Sequence, residues 1–381
     1  MRAEPDLGAI VRARSETFLR NRRTTAAQRK ALRAIGACRT PALGGQLQKC
    51  DRCGHEHIQW HSCRNRACPQ CGAAARARWL EARRTELLPV PYFHVVFTVP
   101  EVLNVVAHHA PRVFYDLLFR AAGQTLVDVA RSRLQIQPGC LCVLHTWGQT
   151  LTLHPHIHCV VPGGGFSVHG RQWRSTAKST FFLPVRVLSR RFRTLLTGFL
   201  RQAWREGSLK LPERVLADSV ALDLLLARAA ATDWVVYCKP PFGGPEQVLG
   251  YLANYTHRIA ISNSRIVSFD GERVCFRYRD YAHGNAERLL TLDVDEFLRR
   301  FLLHVLPPRF VRIRYYGFFA NRSRAHSIDL ARRLIGRRFL LPAPRLSSEA
   351  HRCPQCGTGT LQVLGPVPAE RPPPSRKDLL L

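Results

Sequence analysis

The 381-residue sequence lacks the features that would carry it into or across a membrane. No run of apolar residues approaches the about 18 that a transmembrane helix needs. The first residues, Met1 to Asp6, are not followed by the apolar segment of a secretory signal. We therefore expect neither a membrane span nor export.

Acidic residues are also scarce. The chain has 27 Asp and Glu against 57 Lys and Arg, which gives a formal net charge of +30, and 46% of its residues are hydrophobic. That fraction is too high for a disordered basic tail, so the chain should fold around a sizeable core. A folded, strongly cationic protein usually binds a polyanion, with nucleic acid as the first expectation and an anionic membrane surface as the second.

Lysine is rare among the cations, since the chain has six Lys and 51 Arg. Arginine binds phosphate through parallel hydrogen bonds and stacks on bases, which suits a nucleic-acid partner. A GC-rich genome would produce the same bias. The net charge is therefore more informative than the ratio of arginine to lysine.

The cysteines do not form the pattern of a disulfide framework. Their number, 13, is odd, and the sequence has no export signal. Two C-x-x-C pairs, Cys50 with Cys53 and Cys68 with Cys71, are separated by fourteen residues, and each pair can present two thiolates to one tetrahedral ion. We predict that these two pairs bind one structural Zn²⁺, with Cys63 as a fifth candidate ligand.

Further metal-ligand candidates lie near this motif and at the other end of the chain. Cys38 and the histidines at 55, 57 and 61 could serve a second ion, or could be a buried thiol and solvated imidazoles. Cys353 and Cys356 form half of a site, which would need His351, a distant ligand or another chain to bind metal.

The hydrophobic pattern indicates a mixed fold. β-Branched and aromatic runs predict strands at 92–99, 140–145, 150–161, 234–238, 265–269, 274–278 and 311–316. Helical periodicity predicts helices at 73–88, 102–133, 245–257 and 294–305. The Pro-rich tail from about residue 342 is expected to be loose beyond the second cysteine pair.

The densest chemical signal is His156-Ile157-His158, on a predicted strand. Residues two apart on a strand point to the same face, so both imidazoles can reach one divalent ion if a third group completes the site. Ile157 and Cys159 point the other way, toward the expected core. A His-rich turn exposed to solvent is the alternative interpretation.

A second signal is the pair Tyr251 and Tyr255, which share one face of the predicted helix at 245–257. Ordinary amphipathic tyrosines at a helix–sheet seam are the alternative. Together with the histidines, the pair indicates phosphodiester chemistry, in which a metal ion polarises the phosphate and a tyrosine hydroxyl attacks it. The covalent phosphotyrosine keeps the bond energy, so rejoining would need no ATP.

These motifs carry a resemblance. His156-Ile157-His158 matches the histidine–hydrophobic–histidine (HUH) motif of single-strand nucleases, and the run from Tyr251 to Arg258 resembles the paired-tyrosine helix of rolling-circle insertion-sequence transposases of the IS91 group. The strings at 38–40 and 63–69 are similar to that family's N-terminal zinc-binding domain. Its other signature strings have counterparts at 93–98, 145–149, 182–185 and 316–322.

The pattern and the resemblance together predict an α+β fold with a central antiparallel sheet and helices, like that of HUH nucleases, and an N-terminal zinc-ribbon-like module. Three regions are expected. Residues 1–90 would form a helix and the zinc-binding domain, and 91–325 the catalytic domain, with a basic insertion at about 166–230. Residues 326–381 would form a basic C-terminal region that contains the second cysteine pair and the Pro-rich tail.

The resemblance implies a DNA transposase that nicks and rejoins single-stranded DNA through a covalent 5′-phosphotyrosine, and so moves an insertion sequence by a rolling-circle-like route. His156 and His158 would bind Mg²⁺ or Mn²⁺, and Tyr251 and Tyr255 would be the nucleophiles. The partner would be the single-stranded ends of the element, in the bacterial cytoplasm and on chromosomal or plasmid DNA, with no membrane partner. The oligomeric state is left open.

Several points remain open in the sequence. Imidazole ligands favour Mn²⁺, because the harder Mg²⁺ prefers oxygen. The third metal ligand has five candidates: Asn254, His257, Gln149, His145 and His94. Six arginines are candidate DNA ligands: Arg64, Arg66, Arg190, Arg191, Arg193 and Arg258. A plasmid-type replication initiator and a non-catalytic zinc-finger protein that binds nucleic acid are the rival functions.

Overall fold

The structure is a computed structural model, which describes residues 5–170, 172–176, 182–239, 260–281, 283–336 and 352–370. Nine α-helices lie in these ranges: α1 (Leu7–Asn21), α2 (Ala26–Ala37), α3 (Gly72–Arg84), α4 (Asn104–His109), α5 (Pro111–Leu134), α6 (Val185–Arg205), α7 (Ser219–Ala230), α8 (Val294–Leu302) and α9 (Arg324–Ile335).

The same ranges contain fourteen β-strands: β1 (Gly45–Cys50), β2 (Glu56–Trp60), β3 (Tyr92–Thr98), β4 (Ile136–Gln137), β5 (Gly139–Trp147), β6 (Leu153–Pro162), β7 (Gly164–Ser167), β8 (Trp173–Ser175), β9 (Val236–Lys239), β10 (Ile266–Phe269), β11 (Arg273–Asp280), β12 (Ala286–Asp293), β13 (Ile313–Gly317) and β14 (Leu361–Val367). They form one five-stranded and three three-stranded sheets, with antiparallel pairing between all these neighbours. The predicted α+β class with antiparallel sheets is confirmed.

The largest sheet has the strand order β13-β5-β6-β3-β9. Alternate residues of its inner strands, such as Phe97 and Ile157, are fully buried in a core that α4 to α7 cover. This alternation follows from the two-residue period of a strand. Ile157 and Cys159 point into this core, as the sequence predicts, and the histidines between and beside them therefore point to the opposite face.

The region predicted as a basic insertion contributes to this core. In α6, one face carries Leu188, Phe192, Leu196 and Leu200, all fully buried, and the arginines occupy the other positions of the helix. Four-residue spacing keeps these apolar side chains on one stripe of the helix. The helix is therefore part of the scaffold that supports the central sheet.

A second core joins the N-terminus to the middle of the chain. Side chains of α1 and α2 pack with α8 and with the sheet β10-β11-β12. Local capping defines the ends of these helices: Asp6 accepts from Ala9 N, and Thr25 forms a capping box with Gln28. The Gln28 amide also donates to the carbonyl of Leu302, at the end of α8, over 2.9 Å. The N-terminal helices are thus fastened to α8.

A three-stranded ribbon with the strand order β14-β1-β2 joins distant parts of the sequence. The hairpin β1-β2 lies in the N-terminal region, whereas β14 comes from the far end of the chain and pairs with Gly45 through Cys50. The expectation of a loose tail beyond the second cysteine pair is wrong for 361–367, because backbone pairing with β1 orders this segment.

Among the described residues, every helix is too short or too polar to cross a bilayer.

Candidate active site

Four histidines lie on the face of the central sheet opposite the helices. His94 is on β3, His145 on β5, and His156 and His158 on β6. The register places His156 directly opposite His145, and His158 two residues further along β6. One nitrogen atom each from His145, His156 and His158 lies within 4.8 Å of the other two. The sheet register therefore gathers side chains that are far apart in the sequence.

Hydrogen bonds and stacking orient these rings. His156 Nδ1 lies 2.7 Å from the carbonyl oxygen of His154. Because a carbonyl only accepts, Nδ1 carries the proton and Nε2 keeps a lone pair for ligation. His94 Nε2 lies 2.8 Å from His158 Nδ1, so one of these two rings donates to the other. The ring of His145 stacks on Trp147 with a centroid separation of 4.4 Å.

The environment keeps three of the four imidazoles uncharged, those of His94, His156 and His158. Burial, with a smaller effect from the neighbouring His154, lowers the pKa of His156 to about 3. Burial also lowers the pKa of His94 to about 4 and the pKa of His158 well below its usual range. These rings are therefore neutral at pH 7, which is the state in which a ring nitrogen can bind a metal ion.

The donor set fits a divalent cation. Three imidazoles from two adjacent strands converge, while His94 contacts one of them from a third strand in the way that outer-shell groups orient metal-binding histidines. Three protein ligands leave coordination positions for water or phosphate oxygen, as in catalytic sites. The residues that would hold such an ion are His145, His156 and His158.

A buried histidine supports the turn beside this cluster. His304 is 1% exposed, and its Nε2 donates to the carbonyl of Leu151 over 3.1 Å. Its Nδ1 consequently accepts from the Thr146 hydroxyl, also over 3.1 Å. The Arg300 guanidinium donates to the carbonyl of Thr150 over 3.1 Å. The turn between β5 and β6 is thus held against the end of α8.

The histidines lie at the base of a cleft of about 780 Å³ between the central sheet and the hairpin β11-β12. Lys239 and Tyr237 of β9 form one wall, and Arg279 of β11 and Tyr281 lie on the other. Tyr237 and Tyr281 are 55% and 68% exposed, respectively. Cations and open aromatic rings around a candidate metal site are the groups that bind phosphates and stack on bases.

The structure distinguishes among the candidates for the third metal ligand. It brings His145 to the histidine pair and places His94 against His158. Gln149 lines the same cleft, but its amide donates to the Tyr281 hydroxyl over 3.1 Å and accepts from Arg279 N over 3.4 Å. Five predicted site residues lie outside the described ranges: Tyr251, Asn254, Tyr255, His257 and Arg258.

A cluster of four cysteines lies next to the N-terminal helices. The thiols of Cys38, Cys63, Cys68 and Cys71 all lie within 4.8 Å of one another, with Cys71 Sγ 3.5 Å from both Cys38 Sγ and Cys63 Sγ. Hydrogen bonds from Cys63 and Cys68 lower the pKa of Cys38, which favours its thiolate. Four converging thiols fit a structural Zn²⁺, whose coordination shell they would fill.

The two predicted C-x-x-C pairs do not share one site. Cys68 and Cys71 lie with Cys63 and Cys38, whereas Cys50 and Cys53 lie within 4.8 Å of a different pair, Cys353 and Cys356. The reason is their position in the fold. The first pair closes the tip of the β1-β2 hairpin, which faces β14, and the second precedes α3 beside the end of α2.

Arg66, a predicted DNA ligand, serves the fold in this structure. Its guanidinium donates to the carbonyls of Phe310 (2.7 Å), Leu306 (2.9 Å) and Pro307 (2.5 Å). Burial and the nearby Arg112 lower its pKa. These bonds fasten the cysteine loop to the segment after α8.

The other described arginine candidates differ in their freedom. Arg64 and Arg190 are exposed. Arg191 forms an ion pair with Asp128 through its Nε at 2.9 Å, and Arg193 donates to the carbonyl of Ala230 over 3.1 Å. Arg191 is exposed as well, so exposure alone does not distinguish these arginines. A guanidinium that already has an internal partner must give it up to neutralise phosphate.

Two models of transposase domains match this chain. A family model described as "Putative transposase" matches residues 139–327, which include His145, His156 and His158. A second model, "Transposase zinc-binding domain", matches residues 10–99, which include the cluster of Cys38, Cys63, Cys68 and Cys71.

Two curated relatives match over most of the chain. "Putative transposase y4qJ" of Sinorhizobium fredii is 46% identical over 378 residues, which cover 94% of this chain and 95% of the relative. "Transposase for insertion sequence element IS801" of Pseudomonas savastanoi pv. phaseolicola is 30% identical over 296 residues, covering 75% and 68%. The chain belongs to the IS91-type family of insertion-sequence transposases. No solved structure matches it significantly.

The family gives the cysteine cluster a context. An IS91-type transposase carries an N-terminal zinc-binding domain, and the thiols gathered from this matched region support a structural Zn²⁺. DNA is the partner of a transposase, which agrees with the net charge of +30.

Proposed function

We propose that this transposase nicks and rejoins single-stranded DNA at the ends of its element, through a covalent 5′-phosphotyrosine and with a divalent metal ion held by histidines. The observation that supports this proposal best is the convergence of His145, His156 and His158 at the base of an open cleft. We propose that these three residues hold Mg²⁺ or Mn²⁺, with imidazole favouring Mn²⁺.

Each part of the site has a distinct task in this scheme. His94 orients His158 through their hydrogen bond, and the backbone carbonyl of His154 orients His156. When bound, the ion polarises a phosphodiester and neutralises its charge. Lys239 and Arg279, on the two walls, attract the phosphate backbone of the strand.

The proposed nucleophiles are Tyr251 and Tyr255. A tyrosine oxygen would bond to phosphorus while the bond between phosphorus and the 3′ oxygen breaks. The fragment downstream of the nick becomes attached to the protein through its 5′ phosphate. The tyrosine hydroxyl loses a proton, and the released 3′ oxygen of the upstream fragment gains one. Attack of a 3′-OH on the phosphotyrosine reverses these steps, so one tyrosine can take a strand and the other can pass it on.

The domain division predicted from the sequence is retained as a proposal. Residues 91–325 would be the catalytic unit and 1–90 the zinc-binding unit. The C-terminal region 326–381 would pack on the ribbon in part, since β14 pairs with β1.

The adduct itself is the direct test. Labelled single-stranded oligonucleotides from the element ends are incubated with the protein and Mn²⁺, and a denaturing gel separates the covalent complex. We expect an adduct that disappears when Tyr251→Phe and Tyr255→Phe are combined. Tyr237→Phe is the matched control, because Tyr237 is an exposed tyrosine in the same cleft and should not be needed for the covalent bond.

Two outcomes would overturn the proposal. An adduct that survives the double substitution would refute the nucleophiles. Steep salt-dependent binding without an adduct under any metal would leave a non-catalytic role for this site.

A further inference from the structure

The second group of four cysteines brings together two pairs that lie about 300 residues apart in the sequence. Cys50 Sγ lies 3.7 Å from Cys356 Sγ, and Cys53 Sγ lies 3.6 Å from Cys353 Sγ. All four sulfur atoms lie within 4.8 Å of one another. Thiol separations of this size are those of ligands around one tetrahedral ion rather than those of a disulfide, in which the sulfurs are about 2.05 Å apart.

Both cysteine pairs form the same turn. Gly54 follows the first pair and Gly357 the second, each in the left-handed region, with φ of 71° and 69°. The N–H of each glycine donates to the carbonyl of the first cysteine, over 3.2 Å at Gly54 and 2.9 Å at Gly357. A residue with a side chain would be strained in this conformation.

Backbone amides also point at the sulfur atoms in both turns. Arg52 N and Gln355 N each donate to the first cysteine of their own pair over 3.4 Å. Gly359 N donates to Cys356 Sγ over 3.3 Å. Such N–H···S bonds stabilise thiolate, which is the form that binds metal. Two equivalent turns that face each other thus present four sulfur atoms to one point.

The two turns are also held together by the backbone. Asp51 N donates to the carbonyl of Thr360 over 3.1 Å, and Thr360 N donates to the Asp51 carboxylate over 2.8 Å. A Cβ added to Gly359 would lie 2.3 Å from Cys50 Sγ, so the C-terminal turn can approach the hairpin only because this residue has no side chain. From here β14 continues along β1.

We propose a second structural Zn²⁺ site that joins the β1-β2 hairpin to the turn before β14. Its four cysteine ligands are Cys50, Cys53, Cys353 and Cys356. Two of these ligands lie outside the matched zinc-binding domain, which ends at residue 99. The N-terminal ribbon is therefore completed only by the last part of the chain, which supplies both a strand and half of a metal site. This inference does not depend on the proposed catalytic function.

Zinc stoichiometry of the full-length protein tests the proposal. Metal analysis of the purified chain should find two Zn²⁺ per chain at the cysteine clusters, after treatment with a weak chelator that strips the histidine site. Combining Cys353→Ser and Cys356→Ser should leave one. Adding Cys50→Ser and Cys53→Ser should still leave one, because all four substitutions affect the same site.

The result that would overturn the proposal is equally clear. If the C-terminal double variant kept the wild-type zinc content, or if the quadruple variant lost all zinc, the pair at 50 and 53 would belong with Cys68 and Cys71. Loss of all zinc from the quadruple variant is specific for that arrangement. In the structure, none of the four substituted cysteines belongs to the cluster of Cys38, Cys63, Cys68 and Cys71.

A glycine pair tests the same site without removing a ligand. Gly359→Ala should lower the zinc content of this site, because the added methyl group collides with Cys50 Sγ. Gly365→Ala is the matched control, since an added Cβ in β14 meets no atom within 4 Å. Cobalt substitution offers a second readout: the wild-type protein should give the absorption of two tetrahedral thiolate sites, and Gly359→Ala that of one. The proposal would be contradicted if Gly359→Ala bound as much zinc, and as much cobalt, as Gly365→Ala.

Discussion

The histidine cluster and the two cysteine clusters present their ligands in different ways. The histidines project from paired strands of a rigid sheet, at the base of an open cleft, and only three of them converge on one point. The cysteines project from turns and helix ends, and four converge in each cluster. Three ligands leave room for a substrate oxygen, whereas four thiolates close the coordination shell.

This difference agrees with the proposed division of roles, in which the histidines serve the reaction and the cysteines serve the fold. A strand face fixes the direction of an imidazole through register and through outer hydrogen bonds, as His94 and the carbonyl of His154 do here. A cysteine turn instead connects segments that have little core of their own, such as the ribbon β14-β1-β2. We therefore expect metal loss at the histidines to stop the reaction, and metal loss at the cysteines to loosen the fold.

The largest expected effect contrasts the two kinds of site directly. His156→Ala with His158→Ala should lower adduct formation by at least about 100-fold, because the metal loses two ligands, while the thermal midpoint changes little. Cys63→Ser with Cys71→Ser should instead lower the midpoint sharply, because structural zinc contributes folding energy. Gel assays and calorimetry measure both quantities. If the double histidine variant lost its thermal midpoint as the cysteine variant does, the difference between the two kinds of site would be contradicted.

The next effect concerns the group that orients a ligand. His94→Ala should weaken Mn²⁺ binding by about 10- to 100-fold, since removal of an outer-shell partner typically has this cost. His154→Ala is the control, because His156 bonds to the backbone carbonyl of His154, which the substitution keeps. Titration calorimetry with Mn²⁺ measures the affinities. Equal losses in both variants would contradict the assigned role of His94.

The sequence predicted the ligand face but not the complete site. The two-residue period of β6 was enough to place His156 and His158 on one side and Ile157 in the core. It could not fix which partner strand brings a third imidazole, because register depends on contacts between distant segments. His145 was one of five candidates until the pairing of β5 with β6 set it opposite His156.

The cysteine pairing shows the same limit more clearly. The spacing along the chain predicts one site from Cys50, Cys53, Cys68 and Cys71, because these two pairs are close in the sequence. The partner of the first pair lies 300 residues away, and β14 contains a proline and a glycine that weaken its strand signal. His304 gave no local signal either, since its role arises from packing against the β5-β6 turn.

A third prediction uses the buried His304. Burial lowers its pKa to about 4, whereas an unfolded histidine has a pKa of about 6.5. The unfolded chain therefore binds the extra proton between these values, and the folded protein loses stability as the pH falls through this window. One such imidazole changes the free energy of unfolding by about 2 kcal/mol between pH 7.5 and pH 5.

Denaturant melts at these two pH values, with zinc retained at the cysteines and no Mn²⁺ added, measure that loss. His304→Phe should be less stable at pH 7.5, because Thr146 and Leu151 lose their partner, but its pH slope should be flatter. An unchanged slope would show that His304 does not titrate in this way.

The smallest expected effect separates the two arginines beside the zinc cluster. Arg66→Ala should lower stability by about 1 kcal/mol, because three backbone carbonyls lose a donor that water can replace in part at this exposed position. Arg64→Ala should leave stability unchanged and reduce the slope of log affinity against log salt by about 1, because this exposed side chain is a candidate phosphate contact. Melts and salt titrations of DNA binding distinguish the two. Equal stability losses would contradict the separate roles.

The most direct test of the division between an open histidine site and closed cysteine sites is anomalous diffraction from crystals grown with Mn²⁺ and a single-stranded element end. We predict a manganese peak within bonding distance of His145, His156 and His158, and a zinc peak inside each four-cysteine cluster. A histidine cluster without manganese in the presence of DNA, or a single zinc peak shared by the pairs at 50–53 and 68–71, would contradict this account.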